Sequence, residues 1–293
     1  LHIIKIIFLL PVSQQVVISK IGVILMVRFL ILVTCIFLGA CAWFDRGEPV
    51  TEKPEAYRIK SSGGIVQGQR ITSGGSDITS ASVVSWFDIP FAEPPVGELR
   101  WRAPRAIEAP VDIIVEKEDT SCVQKSSDYA GADGEGIVGL EDCLYLDIKA
   151  PADFASKSYP VMFWIHGGGN TTGPKDYYDF TRLVAAQGVV VVTTNYRLGA
   201  LGWFTHPAIQ GEQKGLDKTS NFGTLDIIES LKWVQSNIAQ FGGDAQNVTI
   251  FGESAGGHNV FALLASPLSD GLFHRAISQS GYTTSSSKQD AYN

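Results

Sequence analysis

A chain of 293 residues with 45% hydrophobic and 18% charged residues is long enough to bury a large core, as one α/β domain or two smaller ones. Its 23 basic and 30 acidic residues leave a net charge of −7 with no basic run or patch, which excludes a nucleic-acid interface as the expected function. Five histidines and four scattered cysteines form neither a Cys-x-x-Cys nor a His-Glu-x-x-His spacing, so no metal site is expected.

The chain opens on Leu1, and residues 1–25 form a loosely apolar string broken by Pro11, Gln14, Gln15 and Lys20. The expectation is an over-extended start. From Met26 the pattern is orderly: Arg28 supplies a positive end, Phe29 to Leu38 an apolar core, and Gly39-Ala40 small residues before Cys41. Residues 26–40 thus read as a secretory signal peptide. Leu38-Gly39-Ala40-Cys41 resembles the bacterial lipoprotein cleavage box, in which the cysteine is lipidated and becomes the first mature residue. A single membrane anchor and plain cleavage are the other two readings. Under the lipoprotein reading, resemblance to known bacterial sorting makes Ala42 after the cysteine favour the outer membrane of the cell envelope, with the chain facing the periplasm or the exterior and touching the membrane through its lipid. Residues 41–56, with Gly47, Pro49 and Pro54, read as a tether.

The body begins at residue 57. Residues 57–91 read as short strands and turns, a small antiparallel sheet, followed by the proline-stiffened loop Phe87–Gly97. Cys122 and Cys143 are an even pair in an exported chain, compatible with a bridge around a glycine-rich loop or with two buried thiols. Glu141–Ile148 is a predicted strand. Tyr159–Ile165 and Val189–Tyr196 are continuous apolar runs, as strands buried on both faces require. A helix is predicted from Tyr177 to Gln187, closed by Gly188. The longest predicted helix is Asn221–Phe241, with Leu225, Ile228, Leu231, Val234, Ile238 and Phe241 at steps of three and four. Val248–Phe251 and Arg275–Gln279 are further strands. Alternation of strand and helix implies a mostly parallel sheet covered on both faces.

Two stretches carry chemistry. Gly252-Glu253-Ser254-Ala255-Gly256 stands between a strand and the predicted helix Gly257–Leu264, the setting in which Gly-x-Ser-x-Gly is a nucleophile elbow. Ser254 is the candidate nucleophile. His166-Gly167-Gly168-Gly169 follows a core strand; its glycines let backbone N–H groups approach a substrate. With the N–H of Ala255 the three glycines would form an oxyanion hole, and His166 is a scaffold for the loop. The pair predicts acyl transfer without a cofactor.

With Glu141–Leu146, Asn195-Tyr196-Arg197, Phe241–Asp244 and Gly271–Gly281, these stretches resemble the type-B carboxylesterases, a family that includes cholinesterases and bacterial para-nitrobenzyl esterases. The resemblance runs from about residue 60 to 281. It implies an α/β-hydrolase fold, a carboxylic-ester substrate of small-molecule size, Ser254 as the acyl-forming residue, Gly168, Gly169 and Ala255 as the oxyanion donors, Glu253 as an electrostatic neighbour of the serine, and a Cys122–Cys143 disulfide. In that fold the acid and histidine follow the serine. After Ser254 only His258 and His274 remain; the first lies four residues into the elbow helix and the second precedes a strand in a family stretch unrelated to the triad. Residues 57–293 are therefore expected to be a C-terminally truncated domain holding half of an active site, with an edge left apolar by absent strands. A non-catalytic binding module and an inert gene fragment are the alternative readings.

Overall fold

The computed structural model describes residues 57–72, 82–128 and 131–283. The expected signal peptide, Cys41 and the tether lie outside the described residues.

Valine-rich runs build the centre. A seven-stranded sheet has the order β12-β11-β9-β10-β8-β4-β3, from β3 (Gln69–Thr72), β4 (Ser82–Pro90), β8 (Tyr145–Pro151), β9 (Tyr159–Ile165), β10 (Val190–Thr194), β11 (Gly243–Glu253) and β12 (Arg275–Gln279). Branched side chains fit the pleat and pack on both faces. Within β10, Val190 and Val192 face the main core, while Val191 faces a smaller cluster with Val83, Val184 and Val189. Helix α1 (Thr181–Gln187) covers that second face with Val184. The main core is closed by α4 (Phe222–Asn237), whose expected stripe is buried along its length. A 3-10 turn, Ile238–Phe241, extends α4 to Gly242, where φ is 78° and the helix ends. Two four-residue helices, α2 (Gly199–Gly202) and α3 (Pro207–Gln210), fill the connection between β10 and α4.

The α/β-hydrolase architecture holds, with a sheet that is mixed. Strands β12, β11, β9 and β10 are parallel, and β8, β4 and β3 alternate in direction beyond them. The expected small antiparallel sheet divides. The hairpin of β1 (Arg58–Ser61) and β2 (Gly64–Gln67) is joined in parallel by β5 (Val111–Ile114) as a separate three-stranded sheet. β3 and β4 enter the large sheet instead, because β4 is apolar on both faces: Val84 and Trp86 belong to one core, Val83 to the other. The Trp86 ring meets Phe154 and Phe241 edge-on at 5.0 and 5.1 Å.

Two boundaries move for side-chain reasons. The strand expected from Glu141 starts at Tyr145, since Arg100 holds Glu141 at 2.6 Å, the Tyr145 hydroxyl donates to Asp142 at 2.7 Å, and Cys143 is bridged. The helix expected from Tyr177 starts at Thr181, where Asp179 accepts the Thr181 N–H at 3.0 Å and closes a turn. Cys122 and Cys143 form the disulfide, with Cα atoms 5.0 Å apart. Between them lies the hairpin of β6 (Gln124–Ser127) and β7 (Ala132–Val138).

Candidate active site

Parallel strands end together, so their C-terminal ends collect whatever follows them. Gly252 is in register with Ile165 and Glu253 with Gln279. The residue after β9, His166, thereby lies beside the residue after β11, Ser254.

Ser254 has φ 53° and ψ −119°, a backbone region that costs a side-chain-bearing residue energy on the order of 1–3 kcal/mol. Its neighbours impose it. The Ser254 N–H donates to Gln279 O at 2.8 Å, and the His258 N–H donates to Ser254 O at 2.9 Å, starting α5 (Ala255–Ala265). The turn is tight enough that a Cβ at Gly256 would lie 2.0 Å from the Ile165 carbonyl oxygen, and one at Gly252 would lie 2.5 Å from the Gly256 carbonyl carbon. Glycine is required at both positions. The N–H of Ala255 heads the helix, where it has no partner within the helix and the helix dipole is positive.

The glycine loop crosses directly over this turn. A Cβ on Gly167 would be 3.3 Å from the Ser254 Cβ and 2.8 Å from the Glu253 carbonyl oxygen. Gly168 and Gly169 have φ 91° and 65°, conformations open to glycine. His166 is buried beneath the loop. Its ring stacks on Tyr196 at 4.3 Å, and the Tyr196 hydroxyl donates to His166 O at 2.6 Å. Its Nδ1 lies 2.9 Å from Gly167 O, an oxygen that only accepts, so Nδ1 carries the proton. Burial lowers its pKa to about 4, which leaves the ring neutral. On the far side of the loop Asn259 of α5 donates to Asn170 Oδ1 at 2.9 Å.

Ser254, Glu253, His166, Gly168 and Gly169 line one cavity of about 400 Å³, with Ala255 opening the helix beside it. The disulfide-closed hairpin adds Ser127 to the wall, and Tyr177 and Tyr178 form an aromatic ledge. A second cavity of about 430 Å³ sits apart from the serine, around a buried Asp88–Lys175–Asp147 cluster.

No described residue hydrogen-bonds the Ser254 hydroxyl. His258 packs edge-on against Tyr282 at 5.1 Å, His274 accepts the Val248 N–H at 3.2 Å, and His206 caps α3 through the Ala208 N–H at 3.2 Å. Sequence reasoning missed Gln124, which binds the glycine loop from the hairpin, and the Asn170–Asn259 pair. Neither belongs to a motif; the pointer to Gln124 is its place two residues after Cys122.

Residues 55–292 match the model of the carboxylesterase family. The chain is 43% identical over 215 residues to fumonisin B1 esterase of Sphingopyxis macrogoltabida, covering 71% of this chain and 38% of that protein. It is 43% identical over 216 residues to para-nitrobenzyl esterase of Bacillus subtilis (strain 168), covering 73% and 43%. Liver carboxylesterase 1F of Rattus norvegicus is 42% identical over 237 residues, 76% of this chain and 40% of the relative. Among solved structures, a thermophilic PNB esterase superposes with a TM-score of 0.68 at 38% identity, covering 80% of this chain and 46% of that one. The chain thus spans less than half the length of the relatives it matches. With the family model matched from residue 55 to 292 and the elbow and glycine loop arranged as described, the chain belongs to the type-B carboxylesterase family.

Proposed function

We propose that this chain carries the nucleophile and the oxyanion donors of a carboxylic-ester hydrolase that works through a serine acyl-enzyme. The observation that carries the proposal is the backbone of Ser254, held at φ 53° and ψ −119° directly beneath the glycine loop. In this scheme Ser254 Oγ attacks the ester carbonyl carbon and passes its proton to a general base. The carbonyl oxygen becomes an anion held by the N–H groups of Gly168, Gly169 and Ala255. The tetrahedral adduct collapses, the alcohol leaves with the proton, and water attacks the Ser254 ester to release the carboxylic acid. The scheme uses no cofactor. Glu253, at the cavity wall, favours a positively charged imidazolium near the serine. Among the described residues His166, His206, His258 and His274 are each engaged elsewhere, and none of them is assigned as the base. Relatives are named for fumonisin B1 and for para-nitrobenzyl esters, and a small-molecule carboxylic ester is the substrate class assigned here.

The test is covalent labelling of the full chain with a fluorophosphonate, read by intact mass and peptide mapping. The expected result is one adduct on Ser254, formed faster when imidazole is added as a surrogate base and absent in Ser254→Ala. An adduct that survives Ser254→Ala, or no adduct even with imidazole, counts against an acyl-enzyme role.

A further inference from the structure

Two N–H groups of the glycine loop can serve an oxyanion only if something fixes the planes of their peptides. A trans peptide points its carbonyl and its N–H in opposite directions, so anchoring the carbonyl aims the N–H; the described chain has no cis peptide bonds. The Gly167–Gly168 plane is anchored by His166 Nδ1–H on Gly167 O at 2.9 Å. The Gly168–Gly169 plane is anchored at Gly168 O, which accepts the N–H groups of Thr171 and Thr172, both at 3.1 Å. The direction of the Gly169 N–H therefore depends on where Thr171 and Thr172 sit. The fit is close, since a Cβ on Gly168 would lie 2.0 Å from Thr172 O.

What fixes Thr172 lies on another element. Gln124 begins β6, two residues beyond the bridged Cys122, and is 4% exposed. Its Oε1 accepts the Gly173 N–H at 2.6 Å and the Thr172 hydroxyl at 2.7 Å. Its Nε2 donates to Gly173 O at 3.3 Å and to Cys122 O at 2.9 Å. Both lone pairs and both protons of the amide are used. Three of the four bonds seize the chain at Thr172–Gly173, and the fourth returns to the disulfide-anchored backbone.

We infer that Gln124 is a positioning residue for the oxyanion loop: its amide ties Thr172 and Gly173 to the disulfide-closed hairpin and thereby sets the direction of the Gly169 N–H. The inference rests on the reading of Gly168 and Gly169 as oxyanion donors. It places control of a catalytic dipole in a buried side chain that touches neither the substrate nor the serine.

Two variants of the full chain separate this role from general support. Gln124→Met keeps the length of the side chain and makes none of the four bonds. Gln124→Glu keeps the acceptor for Gly173 N–H and the Thr172 hydroxyl. Amide hydrogen exchange is followed by mass spectrometry, and the fluorophosphonate reaction is resolved into KI and kinact. In Gln124→Met, protection should fall at least about tenfold across residues 168–173 while β9 and α5 keep theirs. Its kinact should fall by about 10²-fold, the scale of losing one oxyanion donor, with KI within about threefold. Gln124→Glu, which keeps two of the bonds but turns its second oxygen on the carbonyls of Cys122 and Gly173, should fall between the parent and Gln124→Met in both readouts. Unchanged protection of residues 168–173 in Gln124→Met overturns the inference. So does a rise in exchange spread over the whole chain with kinact unaltered. If the parent chain forms no adduct, the acyl-enzyme reading has failed on its own, and the exchange measurement alone decides whether Gln124 holds the loop.

Discussion

His166 shows how one buried ring ties the site to the stability of the chain. In the unfolded chain the ring titrates near 6.5, whereas burial brings it to about 4 in the folded protein. Between those values the unfolded state binds a proton that the native state does not. The stability contributed by this group is therefore complete above about pH 6.5, falls with falling pH and is gone below about pH 4, a loss of roughly 3 kcal/mol. Urea unfolding at pH 7 and pH 4.5 should show His166→Gln losing less stability than the parent across that interval; equal losses would show that His166 does not carry the effect. At this scale the serine was legible and the glutamine was not. Gly252 and Gly256 are visible in the sequence because the turn excludes every other side chain, so geometry is written in residue type. Gln124 is an ordinary residue whose partners, Thr172 and Gly173, come from a stretch that only the fold brings near.

The elements meet through charges that no periodicity reveals. Asp88 near the end of β4, Asp147 on β8 and Lys175 in the segment between the glycine loop and α1 come together with Lys175 Nζ 3.0 Å from Asp88 and 2.9 Å from Asp147. Burial alone would lower the lysine pKa, but the two carboxylates overcome it and raise it, so the ammonium stays charged inside the protein. Asp88, with φ 52°, also accepts the Lys117 N–H and the Thr120 hydroxyl, each at 2.8 Å, and its own N–H donates to Asp147 at 2.8 Å. Removing one member of a buried ion cluster leaves the rest uncompensated. Lys175→Met should cost about 3–5 kcal/mol in urea unfolding, and Asp147→Asn added to it should recover part of that. A loss below about 1 kcal/mol, the scale of exposed pairs, would show the cluster to be solvated. The strands and helices themselves were legible wherever apolar spacing decided them, as in α4 and β12. They shifted where a polar contact decided, as at Asp179 before α1 and at Glu141 and Asp142 before β8.

At the scale of the whole molecule the large sheet has two edges, β3 on one side and β12 on the other. Among the described residues β12 pairs only with β11, and Ile277 on that strand is 45% exposed. Tyr282 just after it is 61% exposed, and Leu264 on the adjoining α5 is 55% exposed. An edge strand with apolar neighbours invites pairing with another chain. Sedimentation velocity should show concentration-dependent self-association, reduced by Ile277→Lys with a change in stability within about 0.5 kcal/mol, as for a surface substitution. Association unaffected by the lysine would move the sticky surface elsewhere. The same topology bears on time. β11 pairs with β9 across the intervening α1, β10 and α4, and with β12 across α5, so its insertion needs long-range closures on both flanks. Such closures are slow compared with hairpins. A nascent molecule can complete β3, β4 and the disulfide hairpin while Ser254 is still an ordinary hydroxyl on a flexible chain. Its unusual backbone is imposed only when the central strand is gripped from both sides, so the proposed nucleophile would take its shape after the architecture is finished.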